Sequence, residues 1–135
     1  MSAISKTAAS LWLFGDDLNP DDVTRLLGKR PDAAERRGEI VRAPSGRERV
    51  ARQGLWRVQL ERRAPGYLDG QIAELLVGTT EDLAVWQRLT SAYHVDVFCG
   101  LFLDKENEGI CVSSQTLRLL GKRGIKLHLD IYAPD

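Results

Sequence analysis

The sequence predicts an α+β fold: a ferredoxin-like antiparallel sheet built from two strand–helix–strand halves, with two extra helices inserted between the halves and an accessory hairpin. Three observations predict it. Segments of period-two and helical periodicity follow one another as strand, helix, strand, two helices, strand, helix, strand. The hexapeptide Arg25–Arg30 (RLLGKR) recurs letter for letter as Arg118–Arg123, each time at the end of its half's helix. The chain of 135 residues is one domain, large enough to bury roughly two-thirds of its unfolded surface unaided.

In chain order, residues 1–9 read as a frayed polar lead, and Ser10–Phe14 as the first strand. The first helix is well signalled. Asn19 can cap it, Pro20 suits the first helical position, and Asp21 and Asp22 suit the positive end of the dipole. Val23, Leu26 and Leu27 form its apolar stripe, and Gly28 can end it in the left-handed conformation. In the segment 29–54, Glu39–Arg42 and Glu48–Arg52 flank the turn-rich Ala43–Arg47, which suggests the hairpin. Leu55–Glu61 alternates as a strand. Asp69 is placed to cap a helix carrying Ile72, Leu75 and Leu76, ended by Gly78.

Thr79 opens a second inserted helix, with Asp82 in the capping-box position and a stripe of Leu83, Trp86, Leu89 and Tyr93. Val95–Leu103 is the strongest strand signal. Ser113 caps a helix ended by Gly121, with Val112 and Leu117 as its staple. Lys126–Tyr132 alternates with Leu127, Leu129 and Ile131 expected inward.

Composition excludes several classes. Hydrophobic content of 43% with 28% charged residues is that of a globular chain, and no apolar run approaches a membrane span, so no membrane partner is expected. The start MSAISKTAAS lacks the apolar core of a signal peptide, and Cys99 and Cys111 show no zinc spacing; a cytoplasmic protein with free thiols is expected. The net charge of zero conceals an asymmetry: residues 25–63 hold 12 Lys or Arg against 5 Asp or Glu.

Four constellations bear on chemistry. Trp12 and Phe14 share a face of the first strand, as Phe98 and Phe102 do on the third, the arrangement on which RNA-recognition sheets stack bases. The inserted helices need an apolar partner, so burial of these aromatics under a second layer is the favoured reading. His94-x-Asp96 and His128-x-Asp130 place an imidazole and a carboxylate on one strand face, yet no nucleophile or third carboxylate accompanies them, and their strands are not expected to be adjacent. Asp16, Asp17, Asp21 and Asp22 lack the spacing of a calcium loop. No catalytic residue, metal ligand set or cofactor is therefore expected. The arginines Arg42, Arg47, Arg49, Arg52 and Arg57, with Trp56, form the preferred binding group, since guanidinium suits carboxylate and phosphate; the alternative is a solvated hairpin whose charges are met by this chain's own acidic ends.

The segments FGDDLNPDDVTRLLGKRPDAAERRGE, GLWRVQL, VDVFCGLFLD and KLHLDIYA resemble a family of small bacterial proteins, the forty-two seventy-nine family of domains of unknown function. The likeness runs over roughly Ser10–Tyr132, through Phe14-Gly15, Leu18-x-Pro20, Leu27-Gly28, Gly38, Gly54-Leu55-Trp56 and Leu129–Tyr132. It implies a free-standing bacterial cytoplasmic domain and transfers no activity. It directs attention to Gly38, Arg52 and Trp56 together.

Three functions follow as expectations. The first is a non-enzymatic binding or interaction module that uses the arginine surface against an acidic protein, an immunity-type protein neutralising a toxin being one concrete form. The second is nucleic-acid binding through the basic segment and the sheet aromatics. The third is a small-molecule or enzymatic pocket between the sheet and the inserted helices, using His128, Asp130 and Arg57.

Overall fold

The computed structural model describes residues 4–135. Its organising element is strand β1, Lys6–Gly15, which begins well before the predicted Ser10 because Thr7 and Ala9 already point into the core. Flanking it, β5 (Gly54–Gln59) and β6 (His94–Phe102) both pair antiparallel to β1, so the first and third predicted strands are neighbours. A short strand β2 (Ala33–Glu35), not foreseen in the sequence, pairs antiparallel to β5 at one edge. At the other edge β7 (Lys126–Tyr132) pairs parallel to β6.

The sheet order is β2-β5-β1-β6-β7, and the sheet is mixed. The α+β class is correct; β2, β5, β1 and β6 pair antiparallel throughout, and the parallel β7 leaves the expected all-antiparallel ferredoxin-like plan unconfirmed. In the first half, helix α1 (Pro20–Leu27) leads to β2, and β5 then enters between β1 and β2. In the second half, helix α4 (Ser114–Arg123) returns the chain directly beside β6, as a crossover long enough for parallel pairing permits. The halves therefore differ in kind.

The repeated hexapeptide does not mark equivalent positions. Gly28 ends α1 at φ 77°, whereas Gly121 lies inside α4, which continues to Gly124 at φ 72°. Arg123 explains the extension. It is buried, its Nη1 donates to the Leu119 carbonyl at 3.1 Å, and its guanidinium lies 5.9 Å from the Trp86 ring. The hairpin is present as β3 (Ile40–Arg42) and β4 (Glu48–Val50), a separate two-stranded arm.

Odd-numbered residues of β1 and β6 face the helices. Leu11, Leu13, Val97, Cys99 and Leu101 form one core with Val23 and Leu27 of α1, and with Ile72 and Leu75 of helix α2 (Leu68–Leu76). Trp86 and Leu89 of helix α3 (Leu83–Ala92) and Leu120 of α4 complete it. Trp56, expected on the binding surface, is fully buried here, with its Nε1–H donating to Thr24 Oγ1 at 3.0 Å. Leu83, expected in the α3 stripe, is exposed, because Asp82 caps the helix directly before it and the buried side starts at Trp86. Asp69 does not cap α2. Its Oδ1 instead accepts from Ser113 N at 3.1 Å and Thr116 Oγ1 at 2.6 Å, tying the start of α4 to α2.

One buried polar group joins β1 to α2. Thr7 Oγ1 donates to Gln71 Oε1 and accepts from Tyr67 N at 3.1 Å, while Gln71 Nε2 donates to the Thr7 carbonyl at 3.0 Å. Thr7→Val keeps the shape and leaves both the Gln71 oxygen and the Tyr67 amide without their partner. It should cost about 2 kcal/mol, read as a lower urea midpoint at unchanged slope. Cys99 is buried, which pushes its thiol up to about 12, whereas Cys111 is exposed. Ellman's reagent should therefore titrate Cys111 quickly in the folded protein and Cys99 only after unfolding.

Candidate functional site

Period-two alternation decides where the site lies. With the odd residues of β1 and β6 committed to the helices, the even residues Trp12, Phe14, Asp96, Phe98 and Phe102 fall on the opposite face. All four helices pack on the first face, so the predicted cover over the aromatics does not exist. Trp12, Phe14, Phe98 and Phe102 are half-buried on an open surface. The parallel pairing of β6 with β7 makes the strands of the two His-x-Asp pairs neighbours, contrary to expectation, but sets the pairs out of step: Asp96 stands opposite Lys126, Phe98 opposite His128 and Gly100 opposite Asp130.

The open face is a field of stacked rings. Phe14 stacks on His94 at 5.0 Å, Phe98 lies against His128 at 4.8 Å, and Phe102 stacks on Tyr132 at 4.7 Å. Arg57 lies 4.8 Å from the Trp12 ring centroid and Arg62 lies 4.4 Å from that of Phe102. The Asp130 carboxylate raises the neighbouring Tyr132 phenol above its ordinary pKa.

Over one end of this face stands the β3–β4 arm, and between them lies an open cleft of about 1440 Å³. Trp12, Phe14, Leu55 and Phe98 make its apolar floor. Val50 and Ala51 close it from the arm, and Glu35, Arg37, Arg49, Arg52, Gln53, Asp96 and His128 supply its polar groups. The arm is closed by main-chain bonds from Gly38 N to Ala51 O and from Ala51 N to Glu39 O, both 2.8 Å. Gly38 takes φ 90°, a conformation that favours glycine. Asp96 Oδ1 in the cleft floor and Arg57 Nε beside Trp12 are buried without a hydrogen-bond partner.

The arginines of the basic segment 25–63 divide into two groups. Several are met by this chain's own carboxylates: Arg42 by Glu48 at 2.6 Å, Arg49 by Glu35 at 2.7 Å, Arg36 by Asp21 at 2.6 Å and Arg37 by Asp17 at 3.4 Å. These pairs are largely exposed, apart from Glu35 at 17%, and each contributes only about 0–1 kcal/mol. Arg47 and Arg52 have no carboxylate within ion-pair distance among the described residues. Of the predicted binding group, Arg49 and Arg52 line the cleft, Arg57 flanks it, Arg42 and Arg47 lie outside on the arm, and Trp56 is in the core.

The residues of the pocket reading do not converge. Arg57 on β5 and His128 on β7 are separated by two intervening strands, a span of roughly 14 Å, and the space between sheet and helices is filled by core. Leu55, Gln53 and Glu35 are cleft residues that carry no signal in the sequence, since only the path of the arm brings them to the aromatics. Among the described residues, no group of three or more His, Cys, Asp or Glu side chains is placed to hold a metal ion. No helix among the described residues is long and apolar enough to cross a membrane.

The sequence model of a domain of unknown function, DUF4279, matches residues 5–134. No curated protein and no solved structure matches the chain.

Of the three tryptophans, Trp56 and Trp86 are sealed in the core and Trp12 lies on the cleft floor. Acrylamide should quench one component of the native fluorescence. Trp12→Phe should remove that component and leave the two protected ones.

Proposed function

We propose that this chain, which belongs to the DUF4279 family, is a non-enzymatic binding module whose cleft holds an extended segment of an acidic partner protein. The observation that carries this reading is the pairing of an apolar aromatic floor with an arginine-bearing wall in one open cleft. A volume of about 1440 Å³ exceeds the usual range for small-molecule pockets, about 300–1,000 Å³, and the cleft is not enclosed. A polypeptide segment suits it: apolar side chains on Trp12, Phe14 and Phe98, carboxylates toward Arg52 and Arg49. Neutralisation of a toxin by such a contact, the immunity-type form, is one role this chemistry would serve.

A specific observation also favours a second reading, nucleic-acid binding: the ring-bearing face is open on the two central strands, as base stacking requires. Against it, Glu35 and Asp96 put carboxylates among the cleft arginines, and Phe14, Phe98 and Phe102 each already have a ring partner. A uniform polyanion would meet those carboxylates, whereas a peptide of mixed character need not.

The test is retention on a library of acidic dodecapeptides carrying aromatic and aliphatic residues. Arg52→Glu and Phe98→Ala should each weaken the best binders by roughly tenfold or more. Equal retention by wild type and both variants would remove the cleft from the account. Tight, steeply salt-dependent retention of single-stranded RNA in place of peptide would favour the second reading.

A further inference from the structure

The row of odd positions that forms the core on β1 and β6 continues onto β7 and there runs out of cover. Val97, Cys99 and Leu101 are buried, and their register partners are Leu127, Leu129 and Ile131. Leu129 is 40% exposed and Ile131 59%, although the alternation of the strand directs both to the helix side. Leu117 of α4, the helix that packs on β7, is a further 52% exposed. Strand alternation alone places Leu127, Leu129 and Ile131 inward, as they would lie in a strand with neighbours on both sides. Among the described residues, β7 has a neighbour on one side only.

Its free edge is open to pairing. The Tyr132 carbonyl accepts from Leu103 N at 3.1 Å, so even positions of β7 turn their main-chain groups toward the sheet. The N–H and C=O of Leu127, Leu129 and Ile131 therefore point outward. Edges that avoid pairing carry inward charges, prolines or bulges. β7 has one lysine, at its first position, and Pro134 only beyond its end.

We propose that β7 is a homodimer edge, pairing antiparallel with β7 of a second copy about a dyad at Leu129. The strand is self-complementary in that register. Leu129 is the midpoint of Lys126–Tyr132, so pairing over the full length puts Leu129 opposite itself and Leu127 opposite Ile131. His128 then faces the second copy's Asp130, twice over, at the positions where cross-strand side chains approach most closely. The outward main-chain groups supply roughly six hydrogen bonds, the exposed Leu129 packs against its own copy, and Ile131 packs against the second copy's Leu127. The result is a ten-stranded sheet, twice the five of one chain, with both open aromatic faces on the same side. This assignment is independent of the cleft's ligand.

Sedimentation velocity of the full chain over a concentration series tests it. The expected species is a dimer of the 15.1 kDa chain at about 100 µM. Leu129→Lys, at an exposed position, puts two like charges at the dyad and should weaken association by at least roughly tenfold while leaving the circular dichroism unchanged. Asp130→Arg should weaken it likewise. Adding His128→Glu to Asp130→Arg should restore it, because a carboxylate and a guanidinium then face each other across the dyad with their places exchanged. A chain that remains monomeric at that concentration overturns the proposal. So does a dimer indifferent to Leu129→Lys, or an Asp130→Arg defect that His128→Glu does not rescue.

Discussion

Everything in this molecule depends on β1 having a partner on each side and two faces of opposite character. Its odd positions, Thr7, Ala9, Leu11 and Leu13, are all buried, and its even positions Trp12 and Phe14 are not. A one-residue slip in either ladder would exchange these sets and drive indole and phenyl rings into a layer built for leucine. The polar bond between Thr7 and Gln71 adds to that constraint. A hydroxyl and an amide satisfied only by each other and by adjacent main chain can be buried in a single register. The helix layer and the exposed aromatic surface are thus two consequences of one pairing.

That constraint explains which parts of the chain could be read directly. The start of α1 was legible because Asn19, Pro20 and Gly28 act locally; the Asn19 side chain accepts from Asp21 N at 3.0 Å, and Gly28 is left-handed. Capping by Ser113 is equally local. The alternation in Lys126–Tyr132 gave the strand's bounds but not its neighbours, and so misplaced Leu129 and Ile131. RLLGKR misled for the same reason. Whether its glycine ends a helix is decided by what the following arginine meets, and Trp86, over which Arg123 lies, is far away in sequence.

The aromatic face shows a subtler limit. Rings at even positions of two strands correctly indicated a shared surface, but composition favoured covering it, because the inserted helices needed an apolar partner. The leucine and valine positions of the same strands met that need on the other side. Counting apolar residues cannot distinguish the two faces when both are apolar. What distinguishes them is the shape of the residues: branched aliphatics interlock beneath helices, while rings can stack with imidazole, phenol and guanidinium at a wetted surface.

The cleft therefore has walls of unequal stiffness. Its floor is the centre of a five-stranded sheet backed by the whole core. Its other wall, the β3–β4 arm, has one buried apolar residue among the described residues, Ala51, and is otherwise held by its own hairpin bonds, by exposed ion pairs to Asp17 and Asp21 and by a half-covered one to Glu35. Such pairs exchange at little cost, whereas removing a leucine from the core costs about 2–5 kcal/mol. A ligand carboxylate could displace Glu35 from Arg49, or Asp17 from Arg37, without disturbing any element of the sheet. Within the predicted binding group, internal pairing occupies Arg42 and Arg49, so the expectation of an anionic guest rests on Arg52, which lines the cleft and has no carboxylate within ion-pair distance among the described residues.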